Sequence, residues 1–168
     1  MNCACFRYGL FNRICNALMI FCVCVASSVR AEPKTIVAFG DSLTQGYGLP
    51  ADLGFVPKMG YWLGAQGVSV RMVNAGVSGD TTAGGLARLD WTLAETADLV
   101  IVNLGSNDML RGLDPRLTYD NLQKIMAKLH SKNMQTLLIG HLAPLNYGKD
   151  YKKDYDQVFQ QIAIENDT

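Results

Sequence analysis

Three short clusters of glycine and small polar residues stand out in the 168-residue chain. They are Gly40-Asp41-Ser42-Leu43-Thr44-Gln45-Gly46-Tyr47-Gly48, Asn74-Ala75-Gly76-Val77-Ser78-Gly79-Asp80-Thr81 and Gly105-Ser106-Asn107-Asp108. Glycine lets the main chain approach a ligand closely, and each cluster adds a hydroxyl, carboxylate or carboxamide beside it. One such string says little, because Ser42 alone fits a helix cap. Three of them point to a site where Ser42 or Asp41 meets a small molecule held by backbone groups. A phosphoacceptor role for Asp41 is disfavoured by the Ser-Leu-Thr-Gln-Gly that follows it and by the lack of an acidic pair near Thr35. The residue two after Ser42 is Thr44, so the G-x-S-x-G nucleophile elbow is absent. No G-x-x-x-x-G-K-[ST] stretch exists, which excludes a P-loop.

The elements that must position these clusters are legible in the hydropathy pattern. Thr35–Phe39, Val68–Asn74, Leu99–Leu104 and Gln135–Gly140 are short β-branched or apolar runs and read as strands. Phe55–Gln66, Thr82–Thr96 and Asp150–Ile164 read as helices, the second with Leu86, Leu89 and Leu93 on one face. Asp114 offers an N-cap with Pro115 behind it, and Leu122, Ile125, Met126 and Leu129 follow at helical spacing. Alternating strands and helices predict a parallel sheet with right-handed crossovers, a doubly wound α/β sandwich. Ligands bind such sheets beyond the carboxyl ends of the strands. The three clusters follow the first three strands.

From Thr35 to Tyr147, through GDSLTQGYG, NAGVSGDTT, GSNDMLRG and the later APLNYG, the chain resembles the SGNH hydrolase superfamily, within it the exported thioesterase I, lysophospholipase and arylesterase group. The resemblance implies a flavodoxin-like sandwich and an acyl-enzyme mechanism. It makes Ser42 the nucleophile and forms the oxyanion hole from the N–H groups of Ser42 and Gly79 and the side-chain amide of Asn107. Gly79 carries no Cβ to obstruct its N–H, and Asn107 is a neutral donor. Asp41 and Asp108 are expected to bond loop amides. The substrate is expected to be a small-molecule acyl ester or thioester, with no metal or organic cofactor. Two alternatives stay open: a carbohydrate acetylesterase, and a catalytically silent protein that binds esters or acyl groups.

The superfamily carries its catalytic Asp and His in an Asp-x-x-His segment after a fifth strand, and none lies between Tyr147 and Thr168. The expectation is a hydrolase domain over 32–168 that is incomplete at its C-terminus, with the last strand and helix missing and little activity. His130 should face solvent near a helix end. His141 follows the fourth strand, on the active edge but roughly 9 to 10 Å from the first strand at two strand spacings, too far for a general base.

The first 31 residues read as a signal peptide: Arg7 and Arg13, an apolar run to Val29, then Val29 and Ala31 at the small-residue positions of a cleavage site. All five cysteines lie inside it, so a mature domain needs no disulfide framework. Loss of Arg7, Arg13 and Arg30 from the 15 basic residues leaves 12 against 15 acidic ones, and no basic block marks a nucleic-acid surface. An exported, periplasmic or secreted protein is expected, with no stable membrane anchor after cleavage.

Overall fold

Five consecutive residues of the first strand and four of the third are buried, which demands cover on both faces of the sheet. The structure, a computed structural model, describes residues 32–93 and 96–168; the expected signal peptide lies outside them. Strands β1 (Lys34–Gly40), β2 (Val70–Gly76), β3 (Leu99–Asn103) and β4 (Gln135–Leu138) form one parallel sheet in the order β2-β1-β3-β4. This is the doubly wound, flavodoxin-like arrangement. Gly40 pairs with Gly76 on one side and with Asn103 on the other. Three strands therefore end level, and their loops leave the sheet at one height.

Among the described residues six helices accompany the strands: α1 (Ser42–Gln45), α2 (Phe55–Ala65), α3 (Thr82–Thr92), α4 (Ser106–Leu110), α5 (Pro115–Ser131) and α6 (Gly148–Asn166), the last after a 3₁₀ turn at Leu145–Tyr147. Helices α3, α5 and α6 close over Val37, Phe39, Val100 and Val102. Leu122, Ile125, Met126 and Leu129 of α5 are all fully buried there, each worth about 1.5–3 kcal/mol of transfer free energy. Asp114 caps α5 through the Arg116 N–H, with Pro115 at the first turn. Helix α2 packs against β2.

The boundaries depart from the sequence reading where hydrogen bonds compete with hydropathy. Val68 does not open β2, because its N–H bonds Leu63 O at 3.0 Å while Gly67 at φ +78° turns the chain, a Schellman closure of α2. Helix α3 stops at Thr92 rather than Thr96; the carbonyl of Leu93 is taken by Lys132 Nζ at 3.1 Å. Strand β4 ends at Leu138, and α6 runs two residues further at each end than expected. The third cluster is not a loop: Ser106–Leu110 is a short helix entered through Gly105 at φ +118°.

Candidate active site

Asp41 is fully buried and its Oδ1 accepts the Leu43 N–H at 3.0 Å, capping α1 and leaving Ser42 half-buried as the first helical residue. Only glycine fits at position 40, since a Cβ would stand 2.1 Å from Thr44 Oγ1 and 2.6 Å from Asn103 O. The second loop lies against the first, backbone to backbone. A Cβ on Gly76 would meet Gln45 N at 2.2 Å. Val77 N–H bonds Gly40 O at 2.9 Å, and Gln45 Oε1 accepts the Ser78 N–H at 3.1 Å. Gly79 is exposed with φ +84°, and its carbonyl accepts Arg111 Nη2 at 2.8 Å.

Asn107, in the first turn of α4, joins the three loops. Its Nδ2 donates to Asp80 O at 2.9 Å and to Asp41 Oδ2 at 3.2 Å. Asp41 precedes Ser42 and Asp80 follows Gly79, so the carboxamide is held between the neighbours of both. Ser106 Oγ also donates to Asp41 Oδ2. The buried Asp108 accepts the Thr82 N–H at 2.8 Å and the Thr82 hydroxyl at 2.5 Å, tying α4 to the start of α3. Both aspartates thus bond loop and helix-terminus donors.

The far side of α4 and the turn beyond it are held by α6 and the 3₁₀ turn that precedes it. Tyr155, Tyr151 and Tyr147 donate from their hydroxyls to the carbonyls of Gly105, Leu113 and Leu110 at 2.8, 3.0 and 2.9 Å. Burial pushes the Tyr155 phenol well above its ordinary pKa. Lys152 and Asp156 on the same helix take the carbonyl and N–H of Ala143, fixing the segment after β4.

His141 packs edge-on against Phe159, ring centroids 5.4 Å apart, with its Nε2 buried and without a hydrogen-bond partner. Burial holds its pKa below 6.5, opposed by the nearby Asp41 carboxylate. His130 is exposed in the last turn of α5. Among the described residues no side chain hydrogen-bonds the Ser42 hydroxyl, and no group of three His, Cys, Asp or Glu is placed to hold a metal ion.

Sequence reasoning missed Ser106, Arg88, Arg111 and the α6 tyrosines. The tyrosines left a signal in the four-residue spacing of Tyr147, Tyr151, Tyr155 and Phe159. Arg88 left only its place eight residues past Asp80, on the helix that follows the second loop.

A 2-1-3-4 parallel sheet presenting Ser, Gly and Asn loops at its carboxyl edge has the architecture of the SGNH hydrolases. Residues 38–168 match the GDSL-like Lipase/Acylhydrolase family, and the chain belongs to it, a hydrolase of the GDSL type. It is 38% identical to "Esterase TesA" of Pseudomonas aeruginosa over 83% of this chain and 70% of that protein. It is 33% identical to "Thioesterase 1/protease 1/lysophospholipase L1" of Escherichia coli over 94% of this chain and 75% of the relative. The crystal structure of AlinE4, an SGNH-hydrolase family esterase, superposes with a TM-score of 0.80 at 40% identity, covering 82% of this chain and 75% of that one.

Proposed function

We propose that this hydrolase is a serine esterase that cleaves acyl esters or thioesters through an acyl-Ser42 intermediate. The observation that carries the reading is the Asn107 carboxamide, bonded at 2.9 Å to Asp80 O and at 3.2 Å to Asp41 Oδ2. Ser42, Gly79 and Asn107 come from three chain segments, and that one side chain is hydrogen-bonded to the sequence neighbours of the first two. In the reaction the Ser42 oxygen attacks the acyl carbon and the carbonyl oxygen takes up the negative charge. The N–H groups of Ser42 and Gly79 receive it, and Asn107 exchanges its longer bond, to Asp41, for the oxyanion. The leaving alcohol or thiol departs with the proton that Ser42 gives up, and water then cleaves the acyl-serine, releasing the acid and restoring the Ser42 hydroxyl. The esterase and thioesterase names of the relatives support the same chemistry.

Serine attack needs a base, and loss of one costs on the order of 10⁶-fold in turnover. Among the described residues His141 Nε2 has no partner and His130 is exposed, so neither histidine is hydrogen-bonded to Ser42. That same observation favours a second reading, a protein that binds acyl esters without cleaving them. Labelling separates the two. A fluorophosphonate that modifies wild-type Ser42 but not Ser42→Ala supports the esterase, together with hydrolysis of a p-nitrophenyl ester. Retention of such an ester without labelling or hydrolysis supports the binder.

We also read residues 1–31 as an export leader. No described helix is long and apolar enough to cross a membrane. N-terminal sequencing of the exported product should begin at Glu32; a product beginning at Met1 in the cytoplasm overturns the reading.

A further inference from the structure

Arg88, on α3, touches two of the three loops at once. Its Nε donates to Asp80 Oδ2 at 2.6 Å, its Nη2 to Gly40 O at 2.9 Å and its Nη1 to Thr92 Oγ1 at 3.2 Å. The guanidinium carbon lies 4.3 Å over the Phe39 ring centroid. The ion pair is largely out of solvent, with side-chain exposures of 16% for Arg88 and 17% for Asp80. Gly40 is two residues before Ser42, and its carbonyl also accepts the Val77 N–H. Asp80 follows Gly79, and its own carbonyl accepts Asn107 Nδ2 at 2.9 Å. One planar cation therefore spans the first and second loops and reaches the third through a single peptide group.

The pair is not there to cap α3. That end is already served by Thr81 Oγ1, which accepts the Gly84 N–H, and by Asp108, which accepts the Thr82 N–H. Close approach is instead enforced around Asp80. A Cβ on Gly84 would stand 2.8 Å from Asp80 Oδ1. A rigid fork of donors fits this task, because a lysine ammonium is a point charge on a flexible stem and does not reproduce the two-directional geometry.

We propose that Arg88 is a positioning residue of the hydrolytic site, holding Gly40 and Asp80 so that Ser42, Gly79 and Asn107 keep one mutual geometry. The proposal rests on the esterase reading for its catalytic consequence, while its structural content can be read without turnover.

The test uses the full chain and Arg88→Met, Arg88→Lys and Lys128→Met, the last removing an exposed ion pair to Asp90 as a control. Hydrogen exchange followed by NMR reads the Asn107 side-chain amide and the Gly79 N–H against Val102 in the core. In both Arg88 variants the first two should exchange about tenfold faster or more with Val102 unchanged, and in Lys128→Met none should move. If Arg88→Met does not melt cooperatively, Arg88→Lys, which keeps the charge, carries the test. Where the wild type turns over a p-nitrophenyl ester, kcat should fall by about 10²-fold, the scale of losing one oxyanion donor, with KM within about twofold. Unchanged exchange at Gly79 and Asn107, or full rescue by Arg88→Lys, overturns the proposal. A wild type that neither labels nor hydrolyses overturns the esterase reading instead, and the exchange data then decide the role of Arg88 alone.

Discussion

Asn107 and Asp80 are joined by a 2.9 Å hydrogen bond from the side-chain amide of the first to the main-chain carbonyl of the second. A side chain of the third loop is thereby fixed by the backbone of the second, next to the residue proposed to receive an oxyanion. Asn107→Ala should lower fluorophosphonate labelling of Ser42 or ester turnover by about 10²- to 10³-fold. Folding stability should drop by about 1–3 kcal/mol, since two hydrogen bonds are lost. Rates within twofold of the wild type would remove Asn107 from the oxyanion hole.

Glycines split into two classes that stability measurements will separate. Gly64 lies in exposed α2 with nothing within 4 Å of an added Cβ, so Gly64→Ala should stabilise the fold by roughly 0.5–1 kcal/mol. On Gly85 a Cβ would stand 2.3 Å from Leu104 Cδ1, a fully buried side chain. Gly85→Ala should destabilise by about 1–3 kcal/mol through overpacking. Urea melts with the two midpoints moving in the same direction would contradict the packing of α2 and α3.

Stability should depend on pH through His141, whose folded pKa is held below the ordinary 6.5 by burial. The unfolded chain then binds a proton at higher pH than the folded one, so stability rises with pH across that interval. The contribution is fully present above about 6.5 and is lost as pH falls from there through the depressed folded value. Comparing Tm against pH for the wild type and His141→Gln should show a shallower acid slope in the variant. Parallel curves would assign the slope to other groups.

Among the described residues strand β4 pairs only with β3, and the Thr136 carbonyl is bonded by the Thr168 hydroxyl at 2.9 Å. An edge so thinly covered is a template for intermolecular pairing. Light scattering of the 168-residue chain should show concentration-dependent association, reduced by Leu137→Lys, since Leu137 is exposed on this strand. A monomer at all concentrations would mean the edge is adequately protected.

The sheet was legible because buried parallel strands are written as continuous apolar runs, and the ends of the first three strands because clusters of glycine and small polar residues lie there. Within those ends, Ser42, Gly79 and Asn107 were singled out by the resemblance to the SGNH hydrolases and not by the pattern itself. Helix α4 was not legible: five residues with a glycine before them carry no periodicity. The start of β2 was misplaced because Val68, apolar and β-branched, donates its N–H to Leu63 O. Arg88 was invisible for a different reason. Its importance lies in two partners 48 and eight residues away, and no local pattern records them.

The tyrosine column that runs from the 3₁₀ turn into α6 makes that helix intolerant of changes in length. Tyr147, Tyr151, Tyr155 and Phe159 recur every four residues, and three of their side chains end on carbonyls of one short segment. One residue inserted between positions 148 and 154 would rotate everything beyond it by about 100°. The Tyr155 hydroxyl would swing off Gly105, and with it the support beneath Asn107. Among descendants of this chain, length variation in α6 should therefore be rare and drift in the exposed turn at 50–53 common, whatever ester each descendant has come to prefer.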